Sequence, residues 1–177
     1  MQLLNRLITG TLILGIIFLS ASIVSPSESV IEESVVIHAP APVVFEQVNV
    51  LRSWENWSEW KNLDTAVFDR GYSGQARGVG CTHEWASSDP RVGHGRTEIT
   101  ESEPYEWLKM DIRMGPVSGE STWHFQSDVD SVFVSWKTRV PLNFTQRIWP
   151  GWFLTDASEP YFIASLKNLK AYTESLR

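Results

Sequence analysis

The sequence contains one cysteine, Cys81, among its 177 residues. No disulfide can therefore form within the chain, and a single thiol does not supply a structural zinc site. Basic residues are also scarce, since Arg6 is the only lysine or arginine before position 50. The formal net charge is −6, without a basic stripe, and this balance excludes nucleic-acid binding and electrostatic docking on anionic lipid. We expect Cys81 to be a small apolar residue of a strand.

The sequence also lacks the common catalytic and metal-binding motifs. There is no HExxH pattern and no Gly-x-Ser-x-Gly pattern, so neither a zinc protease nor a serine hydrolase is indicated. The glycines between positions 71 and 80 are not followed by Lys-Ser/Thr, and they predict hairpin turns rather than a phosphate loop. The four histidines are too dispersed for a metal site: His38, His83, His94 and His124. No cofactor and no metal are expected.

The N-terminal segment is the one long apolar run. Residues Leu7 to Val24 carry no charge, and residues 1–25 predict a transmembrane anchor or a secretory signal peptide with a small-residue cleavage site at Ser20–Ser22. Because Arg6 favours a cytoplasmic N-terminus, we expect the rest of the chain on the periplasmic side of an inner membrane. The alternative is a protein secreted after cleavage. Residues 26–31 are interpreted as a linker and residues 32–177 as one domain.

The domain begins with a strand and a helix. Val35–Ile37 predicts a short strand, and Val44, Phe45 and Val48 have helical spacing after Pro42. Tryptophans follow at a spacing of three, and they form either part of the core or a ligand box: Trp54, Trp57 and Trp60.

Short strands dominate the middle of the chain. Alternating runs bounded by turn residues predict an antiparallel meander. These runs cover 66–68, 79–85, 96–102, 107–114, 119–126 and 131–140. A looser stretch follows at 141–155 and carries Trp149 and Trp152, which we expect to be exposed.

The last segment predicts a helix that covers the sheet. Phe162, Leu166 and Leu169 lie on one helical face, and Ser158 is the expected N-cap. An apolar helical stripe requires a partner, and the concave face of a twisted sheet provides one.

This order of elements resembles the START-like, or SRPBCC, superfamily, in particular the bacterial proteins grouped as polyketide cyclase/dehydrase-like. The motifs that carry the resemblance are Ile37–Pro40 before Phe45, the tryptophan cluster, Gly78–Gly80 before Trp85, Gly93–Gly95 before Ile99, Trp123 with Phe125, Val134 with Trp136, and Tyr161–Leu169. The resemblance implies an α+β helix-grip fold, with a curved antiparallel sheet wrapped around a long C-terminal helix and short helices after the first strand. It also implies a cavity for apolar small molecules but no single reaction.

Strand alternation predicts which side chains face that cavity. His83 is the one titratable group expected there, as a ligand anchor or a general acid/base, although a histidine at a cavity rim more often has only a structural role, hydrogen-bonded to backbone or water. We expect the ligand-binding residues to be His83, Trp85, Ile99, Leu108, Met110, Ile112, Trp123, Phe125, Val134, Trp136, Thr138, Phe162 and Leu166.

Three functions remain open at this point. The first is binding of an apolar small molecule or lipid in the cavity, held near the membrane by the N-terminal segment. The second is a cyclase, dehydratase or isomerase that uses His83, with Thr138 or Tyr72 as hydrogen-bond partner. The third is a protein-interaction module of the cell envelope that uses Trp149 and Trp152.

Overall fold

The structure is a computed structural model that describes residues 2–64, 71–89, 92–148 and 151–176. The elements in chain order are α1 (Gln2–Val24), β1 (Glu28–Ile37), α2 (Ala41–Asn49), two 3-10 helices (Leu51–Asn56 and Glu59–Asn62), β2 (Tyr72–Gly74), β3 (Cys81–Ala86), β4 (His94–Glu103), β5 (Trp107–Met114), β6 (Val117–Ser127), β7 (Val132–Pro141), α3 (Phe144–Ile148) and α4 (Gly151–Ser175). The strand predicted at 66–68 lies outside the described residues.

Seven strands form one antiparallel sheet in the order β1-β7-β6-β5-β4-β3-β2. Consecutive strands pair from β2 to β7, as the meander predicts, and β1 then adds to the free edge of β7. The sheet curves around α4, which packs against β1 and against the second 3-10 helix. We call the face toward α4 the inner face. The structure therefore confirms the predicted helix-grip fold.

Helix α1 is the apolar N-terminal segment. Its described large side chains are exposed, for example Leu12, Leu14 and Ile16, and α1 contacts α3. Within the part of the chain that the structure describes, no helix has both the length and the apolarity needed to cross a membrane. The transmembrane anchor predicted for residues 1–25 is therefore not supported.

Strand β1 is longer than its apolar signal. It begins at Glu28, within the segment 26–31 interpreted as a linker, and Ile31 belongs to the core. The sequence does not predict a strand at positions 28–33, because glutamates occupy positions 28, 32 and 33 and acidic residues are depleted in strands. Its pairing with all ten residues of β7 fixes it in the sheet.

The register of β4 differs from the simple alternation of its sequence. The pairing with β5 shifts between Ile99 and Glu101, which is a bulge with one extra residue. Because of the bulge, Glu98 and Glu101 pair opposite Asp111 and Lys109 and lie on the same, outer face. Strict alternation along the sequence predicts opposite faces for these two glutamates, and this prediction is wrong.

The C-terminal helix starts earlier than predicted. It begins at Gly151, so Ser158 is not its N-cap and Pro160 lies inside it. A proline lacks the N–H for one helical hydrogen bond, but the flanking helix can accommodate this local loss. Trp149 lies outside the described residues, and Trp152 lies in α4.

Candidate functional site

The centre of the inner face is filled by aromatic rings. Trp136 stacks on Trp123 with ring centroids 4.3 Å apart, and Phe162 of α4 approaches Trp136 to 4.1 Å. Trp54 and Trp60 contact Trp136 from the 3-10 helices, at 5.9 and 6.1 Å. The tryptophans spaced by three thus pack into the core, and this part of the space between sheet and α4 is occupied by the protein itself.

Beneath the rings lies a buried hydrogen-bond network. The Trp136 indole N–H donates to Ser121 Oγ at 2.6 Å, and Ser121 Oγ lies 2.9 Å from Thr138 Oγ1. Trp123 is 0% exposed, and its indole nitrogen has no hydrogen-bond partner among the described residues. The hydroxyl of Thr138 thus lies beside Ser121, which accepts from Trp136, and the contact of Thr138 with a ligand stays a prediction.

A second set of planar groups lies on β2 and β3, toward the other edge of the sheet. His83 stacks between Tyr72 and Trp85, with ring centroids 4.6 and 5.6 Å apart. The Arg52 guanidinium lies 4.5 Å from the centroid of the Tyr72 ring. Burial raises the pKa of the Tyr72 hydroxyl, and the neighbouring Glu55 carboxylate raises it further. Tyr72 therefore stays protonated throughout the physiological pH range, and its hydroxyl can donate a hydrogen bond.

Strand pairing connects the stacked rings of Tyr72, His83 and Trp85 to the middle of the inner face. Tyr72, His83, Thr97 and Ile112 pair across β2 to β5, and Trp85 pairs with Gly95. The Trp85 ring lies directly over Gly95. A Cβ added to Gly95 would fall only 2.3 Å from Cζ2 of Trp85. The indole N–H of Trp85 donates to the Val92 carbonyl at 3.3 Å.

The inner face is closed at its aromatic centre and open at one end. Leu108 and Met110 of β5 are fully buried, whereas Ile112 is only half-buried and Met114 is 36% exposed, although all four lie on the same face. We call this end the open half; its residues are Trp85, Gly95, Ile112, Met114, Val117 and Gly119. Two of the six are glycines, and the space above Gly95 is occupied by the Trp85 ring. The open half therefore offers apolar surface, beside the buried polar groups of His83 and Thr97.

The predicted site residues fall into two groups. Most of them are buried at the aromatic centre or in the core around it: Ile99, Leu108, Met110, Trp123, Phe125, Val134, Trp136, Thr138, Phe162 and Leu166. Trp85 and Ile112 belong to the open half, and His83 lies beside it. The inward orientation of these side chains agrees with strand alternation, and their contact with a ligand stays a prediction. Alternation in the run 79–85 also predicts that Val79 points inward, but Val79 is exposed in the turn before β3.

Glu33 is an inner-face residue that the sequence did not indicate. It pairs directly opposite Trp136 and is half-buried, so a carboxylate borders the aromatic centre from β1. The apolar signal of Val35–Ile37 is too short to extend the alternation back to position 33, and only the pairing of β1 with β7 identifies its face.

The outer face of strands β3 to β6 carries ion pairs. Arg96 pairs with Glu84 and Glu98 at 2.6 and 2.7 Å, and Lys109 pairs with Glu120 at 2.7 Å. A depression of about 200 Å³ on this face is lined by Arg96, Glu98, Asp111 and Arg113. Its charged lining does not suit an apolar guest, so the open half of the inner face is the better candidate for ligand binding.

A curved seven-stranded antiparallel sheet closed by a long C-terminal helix defines the helix-grip class of proteins. Residues 29–174 match the family model described as polyketide cyclase / dehydrase and lipid transport. The protein belongs to this family. The family description covers hydrophobic-ligand binding in general and does not identify a ligand or a reaction.

Solved structures share the fold at low sequence identity. The two-domain aromatase/cyclase BexL from the BE-7585A biosynthetic pathway is 16% identical, with a TM-score of 0.63, over 84% of this chain and 50% of that chain. The Aha1 dimer from Colwellia psychrerythraea is 15% identical, with a TM-score of 0.59, over 82% and 96%. Norcoclaurine synthase from Thalictrum flavum, in complex with dopamine and hydroxybenzaldehyde, is 12% identical, with a TM-score of 0.59, over 89% and 92%. No curated protein matches the chain.

Proposed function

We propose that this protein binds an apolar small molecule or lipid at the open half of the inner face. The observation that carries the proposal is the change in exposure along β5, where Leu108 and Met110 are sealed but Ile112 and Met114 are not. Apolar side chains that are left accessible on a concave face, beside a few buried polar groups, have the composition of a ligand site.

The aromatic centre limits the size and position of the ligand. Trp123, Trp136 and Phe162 are in direct ring contact, so a guest does not extend between them without displacing a ring. The proposed ligand therefore lies between Trp85 and Ile112, with His83 and Thr97 at its inner end. The Thr97 hydroxyl donates to the Asp111 carbonyl at 3.1 Å, and we expect His83 to add a polar contact to the ligand.

Ligand binding is tested with the dye 1-anilinonaphthalene-8-sulfonate and with the Met114→Asp variant. We expect the wild-type protein to enhance the dye fluorescence and Met114→Asp to weaken dye binding about tenfold. A charge at this position removes an apolar contact worth about 1.4 kcal/mol or more. Fluorescence titration gives both dissociation constants.

The control variant is Val129→Asp, which introduces the same charge at a residue that is 93% exposed in the β6–β7 turn. Val129→Asp should bind the dye as the wild type does. Equal affinity of Met114→Asp and wild type would place the dye elsewhere and contradict the proposal. Mass spectrometry of a solvent extract then identifies any apolar molecule that copurifies with the wild-type protein.

The enzymatic alternative depends on His83. Its described ring contacts, with Tyr72 and Trp85, are stacking contacts, and Tyr72, whose pKa is raised, can serve only as a hydrogen-bond partner. The identified ligand decides between the two functions. A ligand that is chemically altered on incubation with the wild-type protein but not with His83→Gln would favour a cyclase or dehydratase. An unaltered ligand favours a binding protein.

We also propose that α1 holds the domain at a membrane, on the periplasmic side. The support is the charge-free run from Leu7 to Val24 and the exposure of Leu12, Leu14 and Ile16. The full chain should sediment with the membranes in cell fractionation, and a Leu14→Asp/Ile16→Asp variant should be released. Protease added to spheroplasts should then digest the domain of the wild-type protein.

The matched control is again Val129→Asp, which should stay in the pellet with the wild type. Recovery of the wild-type protein in the soluble fraction would overturn the tether. The interaction-module alternative that rests on Trp149 and Trp152 stays a prediction, because Trp149 lies outside the described residues.

A further inference from the structure

The outer edge of β1 is a second candidate binding surface, because no strand of the described sheet pairs with this side of its backbone. β1 is the first strand of the sheet order and pairs only with β7, so one side of its backbone faces away from the sheet. One backbone contact identifies which residues point outward. The Leu142 N–H donates to the Ser27 carbonyl at 2.8 Å, which places the odd-numbered residues of β1 toward β7. The even-numbered residues therefore carry the outward groups.

Helix α4 confirms this orientation at the end of the strand. Lys170 Nζ donates to the Val36 carbonyl at 2.7 Å, and the His38 N–H donates to Glu174 Oε1 at 2.8 Å. Lys170 and the His38 N–H lower the pKa of Glu174, so this carboxylate stays charged at neutral pH. The last outward groups of the edge are thus capped by the helix.

The capping does not reach the middle of the strand. The outward N–H and C=O groups of Val30, Glu32 and Ser34 have no hydrogen-bond partner among the described residues. Glu32 and Ser34 are exposed and Val30 is half-buried. Three consecutive outward residues form the template to which an extended peptide adds as a further strand.

The side chains along this edge define the chemistry of the partner. Glu28 and Glu32 place two carboxylates on the outer face of β1, where Lys137 pairs with Glu32, and Glu33 places a third on the inner face. Apolar surface lies at the far end, where Val36 pairs with Phe133 and both are exposed on the outer face. An extended segment with alternating basic and apolar residues matches this pattern in both charge and polarity.

A second copy of this chain fits the edge less well. Antiparallel pairing of two β1 strands would bring the same carboxylates of each copy into one interface, and the chain already carries a net charge of −6. Like charges that face each other across strands are destabilising. The charge distribution therefore selects a basic partner over self-association.

We propose that the β1 edge binds an extended basic peptide segment by strand addition between Val30 and Ser34. The site lies on the opposite side of β1 from β7 and does not depend on the ligand site of the open half. It gives this protein a docking position for another protein in addition to its proposed small-molecule site.

The test uses a fluorescently labelled ten-residue peptide in which lysine and valine alternate along one face and threonine occupies the other. We expect fluorescence anisotropy to detect binding that weakens with added salt, since charge pairs contribute to it. The Ser34→Pro variant should bind at least tenfold more weakly, because proline removes the outward N–H that the peptide needs. The Ser34→Ala variant keeps this N–H and should bind within twofold of the wild type.

Two further comparisons keep the test decisive. A peptide with glutamate in place of lysine should not bind the wild-type protein, and this comparison requires no variant to fold. Val30→Pro repeats the backbone test at a second outward residue. Equal binding of the lysine and glutamate peptides, or equal affinity of Ser34→Pro and Ser34→Ala, would overturn the proposal. A wild-type dimer in light scattering that Ser34→Pro dissociates would assign the edge to a second copy instead.

Discussion

Replacing Trp136 with alanine is expected to lower the free energy of unfolding by about 3–5 kcal/mol, the range for a large aromatic side chain removed from a packed core. Trp136 is 2% exposed and contacts rings from β6, α4 and both 3-10 helices. Its loss also removes the indole N–H that donates a hydrogen bond to Ser121 Oγ. Urea unfolding of the wild-type and variant proteins measures the difference.

Phe133→Ala is the matched control, because Phe133 lies on the same strand but is 40% exposed on the outer face. It should cost less than about 1 kcal/mol, as surface substitutions commonly do. A Trp136→Ala variant that loses no more than Phe133→Ala would show that the aromatic centre does not stabilise the fold.

The second large effect is expected at Gly95. An alanine Cβ there would lie 2.3 Å from Cζ2 of Trp85 and 2.4 Å from the Arg113 carbonyl oxygen, distances that real Cβ atoms do not tolerate. Trp85 can move aside, but the backbone of β5 can yield only by disturbing the sheet. Gly95→Ala should therefore lower the free energy of unfolding by about 1–3 kcal/mol and weaken dye binding at the open half, as urea unfolding and dye titration measure.

Gly10→Ala provides the comparison for Gly95→Ala, because no atom lies within 4 Å of a Cβ added at Gly10. This change in α1 should not destabilise the protein, since alanine favours a helix more than glycine does. A Gly95→Ala protein that unfolds at the urea concentration of the wild type would contradict the close approach of Trp85 to the sheet.

Much of the fold follows from local pattern. The alternation in Trp107–Met114 predicts both the strand and its inner face, because apolar and charged residues separate cleanly there. Two other elements depend on information that the pattern lacks. The bulge in β4 arises from one residue that has no sequence signal of its own, and the start of β1 is set by pairing with β7 rather than by apolar residues.

The candidate site is less accessible to sequence reasoning than the fold. Alternation places Met110 and Met114 on the same face and cannot distinguish them, yet one is sealed and the other is exposed. The difference depends on side chains that reach the sheet from the 3-10 helices and α4, which are distant in sequence. Likewise, the stacking of His83 between Tyr72 and Trp85 depends on the register of β2 against β3.

The pairing of β1 with β7 has a consequence for synthesis on the ribosome. Glu28 lies opposite Pro141, and Ile37 lies opposite Val132, so the first strand to emerge waits for the last one. Until β7 is available, both flanks of β1 are unprotected, and contacts between such distant segments form slowly. A nascent chain of this protein therefore depends on the glutamates of β1 to keep that strand from associating with other chains before its own partner arrives.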